Sequence, residues 1–256
     1  MIDLTNGFIR LKGVFLLVFL MPVMVSAQLN DTSINMLNVN LTYAFHVPDG
    51  DIAERFGVSS MIGPAVEFKH KSNWIIGLEF GYLFGGNLKQ TDVLDHLKDE
   101  NGNIINEYGE YGTILMTERG FYAGGSIGKI IPVLSPNPNS GIKLQLGAGL
   151  LEHHIHIENK DNNIPGVLGD YRNGYDRRTN GFSMKEFVGY HYLDSGGYIN
   201  FYAGFEFYQA WTYNRRNLNY DTGLPDNKLK HDYLYGFRVG WILPLYRKNP
   251  DPFYYY

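Results

Sequence analysis

From Leu37 to Leu245 the chain repeats one pattern, with apolar and aromatic residues at every second position and glycine, polar and charged residues between them. The clearest run sets Trp74, Ile76, Leu78, Phe80, Tyr82 and Phe84 against Ile75, Gly77, Glu79, Gly81, Leu83 and Gly85. A period of two places these sets on opposite faces of a strand. A soluble sandwich would turn the aromatic face inward. Large aromatics opposed by glycine and charge, strand after strand, instead suit a closed barrel that is apolar toward lipid and polar toward a narrow lumen.

Eight segments carry the pattern, near 37–45, 60–68, 74–84, 117–127, 142–150, 181–193, 199–213 and 233–245. Pro64 in the second predicts a bulge or a locally irregular ladder, because proline has no N–H to give. The sixth leaves its phase open: either register of Met184, Lys185, Glu186, Phe187 and Val188 sends one charge toward lipid. The connections alternate in length. Links at 70–73, 132–141 and 194–197 read as periplasmic turns, and those at 47–55, 87–112, 158–180 and 214–231 as surface loops. An even strand number puts both ends of the barrel on the periplasmic side. Trp74 and Trp241 then fall near the periplasmic rim and Trp211 near the outer rim, the level at which amphipathic rings meet headgroups.

The N-terminal residues read separately. Arg10 and Lys12 precede an apolar run from Val14 to Val25, and Val25, Ser26 and Ala27 provide small residues before Gln28, the pattern of a secretory signal peptide. The predicted layout is a signal peptide at 1–27, a periplasmic segment at 28–36, the barrel at 37–246 and a periplasmic tail at 247–256. Composition narrows the chemistry. There is no cysteine, which excludes disulfides, thiol nucleophiles and thiolate metal sites. A formal net charge of -4 argues against nucleic acid as a partner.

The signal peptide, the eight alternating segments and the aromatic-rich last strand resemble the small outer-membrane β-barrel proteins of the OmpA/OmpX type. The resemblance covers nearly all of the mature chain and implies an all-β fold. That fold is an eight-stranded antiparallel up-and-down transmembrane barrel in the outer membrane of a Gram-negative bacterium. The glycine- and tyrosine-rich strands and the Val25-Ser26-Ala27-Gln28 junction are also similar to accessory barrels of type IX secretion and gliding machines. That second likeness implies work beside other envelope proteins in secretion or assembly. Barrels of the first family usually end at the last aromatic of the final strand, whereas this chain runs on to Tyr256.

Eight strands enclose a space that side chains can fill, so an open porin is not expected. The inward set holds Glu67, Glu79, Glu118 and Glu206 with Lys143 and Arg238. Buried charges must pair or be hydrated, which predicts an internal salt-bridge network that plugs the lumen; an ion path is the alternative. No enzyme and no cofactor are expected. The competing catalytic reading joins Ser183, His153 and Glu186, or Glu152, as a lipid hydrolase or acyltransferase near the outer rim. The competing metal reading joins His154, His156 and Glu158. Function is expected instead on the loops. The acidic loop at 87–112 reads as a solvated face. Tyr171, Arg172, Tyr175, Arg177, Arg178, Arg215, Arg216 and Tyr220 form an aromatic and basic set suited to a protein contact or a lipopolysaccharide phosphate. The expected partners are outer-membrane lipid, lipopolysaccharide and envelope proteins. A surface adhesin is a further alternative.

Overall fold

The alternating segments become eight strands: β1 (Met36–Gly50), β2 (Ser59–Lys69), β3 (Trp74–Gly85), β4 (Ile114–Ile131), β5 (Gly141–Asn159), β6 (Thr179–Leu193), β7 (Asn200–Asn214) and β8 (Lys230–Leu245). The computed structural model describes residues 32–161, 163–194 and 199–245. The expected signal peptide, the tail at 247–256 and most of the link at 194–197 lie outside the described residues. Every strand pairs antiparallel with its neighbours in sequence, and β1 closes the ring on β8, from Leu37 opposite Leu245 to Gly50 opposite Asp232. Over the length that all eight strands share, this closure leaves the sheet without an edge, the condition for a sheet to cross a membrane.

The apolar set faces out. Leu78 is 72% exposed and Phe205 67%, while the intervening Tyr202 and Tyr208 are buried in the interior. Such a belt is stable only in hydrocarbon, so the fold is a transmembrane barrel. Trp74 and Trp241 lie on the outside toward the end that carries residue 36, and Trp211 on the outside near the opposite rim, stacked against Phe182. Pro64 interrupts the β2–β3 ladder locally without shifting it. Ile62 faces Tyr82 and Ala65 faces Glu79, one register on both sides of the gap. The sequence left a bulge open, and the irregular ladder is what forms. Gly63 makes this possible, because a Cβ there would stand 1.9 Å from the carbonyl oxygen of Phe80.

β6 takes the phase that puts Lys185 inside and Glu186 outside. Lys185 is buried, and its partners on the ladders are Gly147 and Tyr208. β4 and β5 run for 18 and 19 residues, well past the segments read from the sequence. Eighteen residues span roughly 60 Å at about 3.3 Å each, too long for a tilted crossing of the ~30 Å hydrocarbon. These strands therefore run on past the membrane and carry the loops above it.

Candidate functional site: a filled lumen beneath a folded cap

The interior is built in three layers. Toward the end where the chain enters β1, Met36, Phe187, Leu193, Tyr202 and Ile242 pack into an apolar floor. Beneath the floor, Lys69 Nζ donates to Ser33 Oγ at 3.0 Å and Asn139 Oδ1 at 2.9 Å, and Asn137 Nδ2 donates to the Leu193 carbonyl at 2.6 Å. The residues entering β1 and the turn at 132–140 thus cover this mouth.

Charge fills the middle. Lys143 Nζ lies 2.7 and 2.9 Å from the two Glu67 oxygens, which also accept from Gln145 and Asn40 at 2.9 Å each. Lys143 further stands over the Tyr202 ring, 4.2 Å from its centroid. Arg238 bridges two carboxylates, with Nη1 2.7 Å from Glu79 and Nε 2.7 Å from Glu206, while Nη2 donates to Tyr208 Oη at 3.0 Å. Glu79 also pairs with Lys185, and Glu206 with His46 Nε2 at 2.8 Å. Opposing cations and anions at these distances offset the cost of taking each from water. Glycine supplies the room: a Cβ at Gly240 would lie 2.3 Å from the Tyr202 ring. Five of the six charges expected in the lumen join this pairing. Glu118 is also buried inside, but among the described residues neither of its oxygens has a hydrogen-bond partner.

The upper layer is the part the sequence reading missed. The links expected to be surface loops contribute to a second apolar core. Ile52 and Phe56, on and just after the short helix α1 (Asp51–Arg55), enter the mouth and pack with Val93, Leu94, Ile155 and Ile164. The 87–112 link is therefore not simply a solvated acidic face: Val93 and Leu94 are fully buried. Ion pairs fix the same loops. Arg216 reaches both oxygens of Asp176, at 2.9 and 2.5 Å, and Arg177 pairs with Asp221 at 2.5 Å. The hydrogen bonds that Arg216 donates to Asp176 raise its guanidinium above its ordinary pKa. Partial burial pushes the Asp226 carboxyl up, but the Lys230 ammonium 2.8 Å away, the Lys228 backbone N–H and the Arg55 guanidinium together outweigh it and hold the group below the usual carboxylate range.

These bonds correct the expected partner surface. Tyr175 and Arg177 are buried in the cap, with Tyr175 against His96 and Tyr220, and Arg216 is committed to Asp176. Tyr171, Arg172, Arg178, Arg215 and Tyr220 remain exposed. Arg178 is held to Glu152 at 2.8 Å and Arg215 to Asn180 at 2.5 Å. Above the Phe182–Trp211 stack, His154, His156, Arg172, Arg178 and Arg216 surround a hollow of about 180 Å³ on the outer face of the barrel. Arg172 has no side-chain hydrogen-bond partner there among the described residues.

The catalytic reading is not assembled. Ser183 faces the lumen and Glu186 the lipid, since three residues along a strand reverse the face. Ser183 lies opposite Gly149 and His153 opposite Thr179, four ladder positions or about 13 Å apart at ~3.3 Å per residue. His153 Nε2 is instead bonded to Asp232 Oδ2 at 2.9 Å, and that oxygen also accepts from Thr212 Oγ1 at 2.6 Å. Glu152, the other candidate third group, points outward to Asn180 and Arg178. His154 and His156 do share the outer face, with ring centroids 6.5 Å apart, and Glu158 lies beyond them on the same face. No group of three metal-ligating side chains is brought together among the described residues.

No family model matches the chain, and no curated protein matches it. Among solved structures it is similar to Ail, the attachment invasion locus protein of Yersinia pestis, at 9% identity and a TM-score of 0.40, over 82% of this chain and 99% of that one. It is also similar to the N-terminal β-barrel domain of Pseudomonas aeruginosa OprF, at 12% identity and a TM-score of 0.34, over 80% and 97% of the two chains.

Proposed function

We propose that this chain is a non-enzymatic outer-membrane barrel that conducts no solute and acts by binding, through its folded cap and basic outer rim. In this reading it serves as a structural or accessory subunit of an envelope complex for secretion or assembly. The observation that carries the proposal is the filled interior: an apolar floor, a paired charge layer and an apolar cap succeed one another along the barrel. A molecule that spends its lumen on internal pairing and its loops on a fixed surface is built to hold a shape. Fixed loops suit recognition, because little ordering entropy remains to be lost on binding. The hollow lined by His154, His156, Arg172, Asp176, Arg178 and Arg216 leaves Arg172 to meet an anionic headgroup such as a lipopolysaccharide phosphate, since a guanidinium matches two phosphate oxygens at once.

The test combines conductance with capture. Purified protein in planar bilayers is expected to give no steady ohmic current, and the tagged protein in mild detergent to retain a stoichiometric envelope partner. Lipid A masses should be the same in cells with and without the chain. A persistent open-pore current, or lipid A whose mass changes with the chain while no partner is retained, would overturn the reading.

A further inference from the structure

The outer face of the barrel holds one carboxylate at mid-depth. Glu186 points out of β6 and is exposed, between Met184 and Val188 on its own strand, Leu146 on β5 and Phe207 on β7. Its depth follows from the aromatic belts. Phe182, four residues toward the surface, stacks on Trp211, and Tyr190, four residues the other way, hydrogen-bonds the Leu134 carbonyl of a periplasmic-side turn at 2.6 Å. A transmembrane strand crosses in about 9–11 residues, which puts Glu186 close to the bilayer centre. No hydrogen bond or ion pair from Glu186 is formed within the described residues. Gln209, opposite Met184 on β7, adds a second polar side chain to the same patch.

An ionisable group facing lipid at this depth is costly, and such residues characteristically face a partner or a pathway. No pathway is at hand, because the lumen is on the other side of the strand. A second copy of the chain does not answer it. Two copies side by side in one membrane meet at matching depths, and the outward cations of the described strands are Arg119 and Lys129. Lys129 stands at the periplasmic rim over Trp74, 5.3 Å from the ring centroid, and Arg119 near the surface end opposite His154. Neither is level with Glu186.

We propose that the β5–β7 face around Glu186 is an intramembrane docking surface for a different membrane protein, whose spanning segment carries a lysine or arginine at mid-depth. Charge complementarity names the partner's chemistry, and the neighbouring Leu146, Val188, Phe205 and Phe207 supply the apolar contact around it. The inference rests on the binding role proposed above and adds a second surface, inside the bilayer.

The experiment uses the full-length protein in its native membrane, with a photo-crosslinking residue at Val188 and either wild-type Glu186, Glu186→Leu or Glu186→Asp. The expected result is a crosslinked peptide from another protein's spanning segment that contains a basic residue. Its yield should fall at least tenfold in Glu186→Leu and persist in Glu186→Asp, while heat-modifiable migration shows all three barrels folded. Adducts to lipid alone, adducts to a second copy, or undiminished yield in Glu186→Leu would each overturn the proposal. If a partner is then lost on shortening the 160–178 or 215–229 loops instead, the binding role stands and the intramembrane surface falls. A barrel that retains no partner in any form sinks both.

Discussion

Arg238→Leu is expected to destabilise the barrel by about 3–5 kcal/mol, the cost of removing one partner from a buried ionic cluster. Arg238 is the hub of the charge layer, touching Glu79, Glu206 and the Tyr208 hydroxyl within 3.0 Å. Its loss leaves Glu206 with His46 and Glu79 with Lys185 in a space too narrow for bulk water. The double variant Arg238→Leu/Glu206→Gln should recover a good part of that loss, because the stranded charge goes with its partner. Urea unfolding in lipid vesicles, followed by tryptophan emission, measures both, and the double-mutant cycle isolates the coupling. An Arg238→Leu midpoint indistinguishable from wild type would mean that the layer is hydrated rather than paired.

Leu78→Arg tests the other face of the wall. Leu78 is 72% exposed and stands four residues from Trp74 at the rim, near the middle of the crossing. An arginine facing lipid at mid-depth is expected to cost ~2–4 kcal/mol. The same change at Tyr108, 73% exposed in the cap, should stay within about 0.5 kcal/mol, as surface substitutions away from packed features do. Equal exposure to a water-sized probe with unequal cost is the signature of two solvents. Equal small effects at both positions would indicate that Leu78 faces water.

The barrel was legible in the sequence because a period of two is enforced wherever lipid and lumen lie on opposite sides of one strand. The run from Trp74 to Gly85 reads as cleanly in the chain as in the fold. β6 was not legible, since adjacent Lys185 and Glu186 give both phases one outward charge. The tie is broken across the lumen, where Glu79 waits for Lys185, and that is long-range information. The lumen pairs followed the same division: parity gives which residues point inward, and only the closed ring decides that Glu67 meets Lys143 while Glu118 meets no partner among the described residues. The cap escaped for another reason. Ile52, Val93, Leu94 and Ile164 are single apolar residues or short pairs in polar loops, with no period to announce a core, and the 87–112 loop was expected to be a solvated face. Their partners come from different loops. The same gathering turned Tyr175, Arg177 and Arg216 from free contact residues into the ties of the cap. Ser183 and His153 fail as a pair on register, a quantity that spacing along one chain does not contain.

A cysteine-free chain lends itself to a direct test of which way the walls face. Single cysteines placed one at a time from 201 to 208 on β7, spin-labelled in lipid vesicles, report collision with oxygen dissolved in hydrocarbon and with a nickel chelate dissolved in water. Oxygen accessibility is expected at 201, 203, 205 and 207, with little access to either reagent at 202, 204, 206 and 208. High nickel accessibility at the even positions would reveal an open aqueous lumen, and protection of the odd positions from both reagents would place the aromatic face in a protein core.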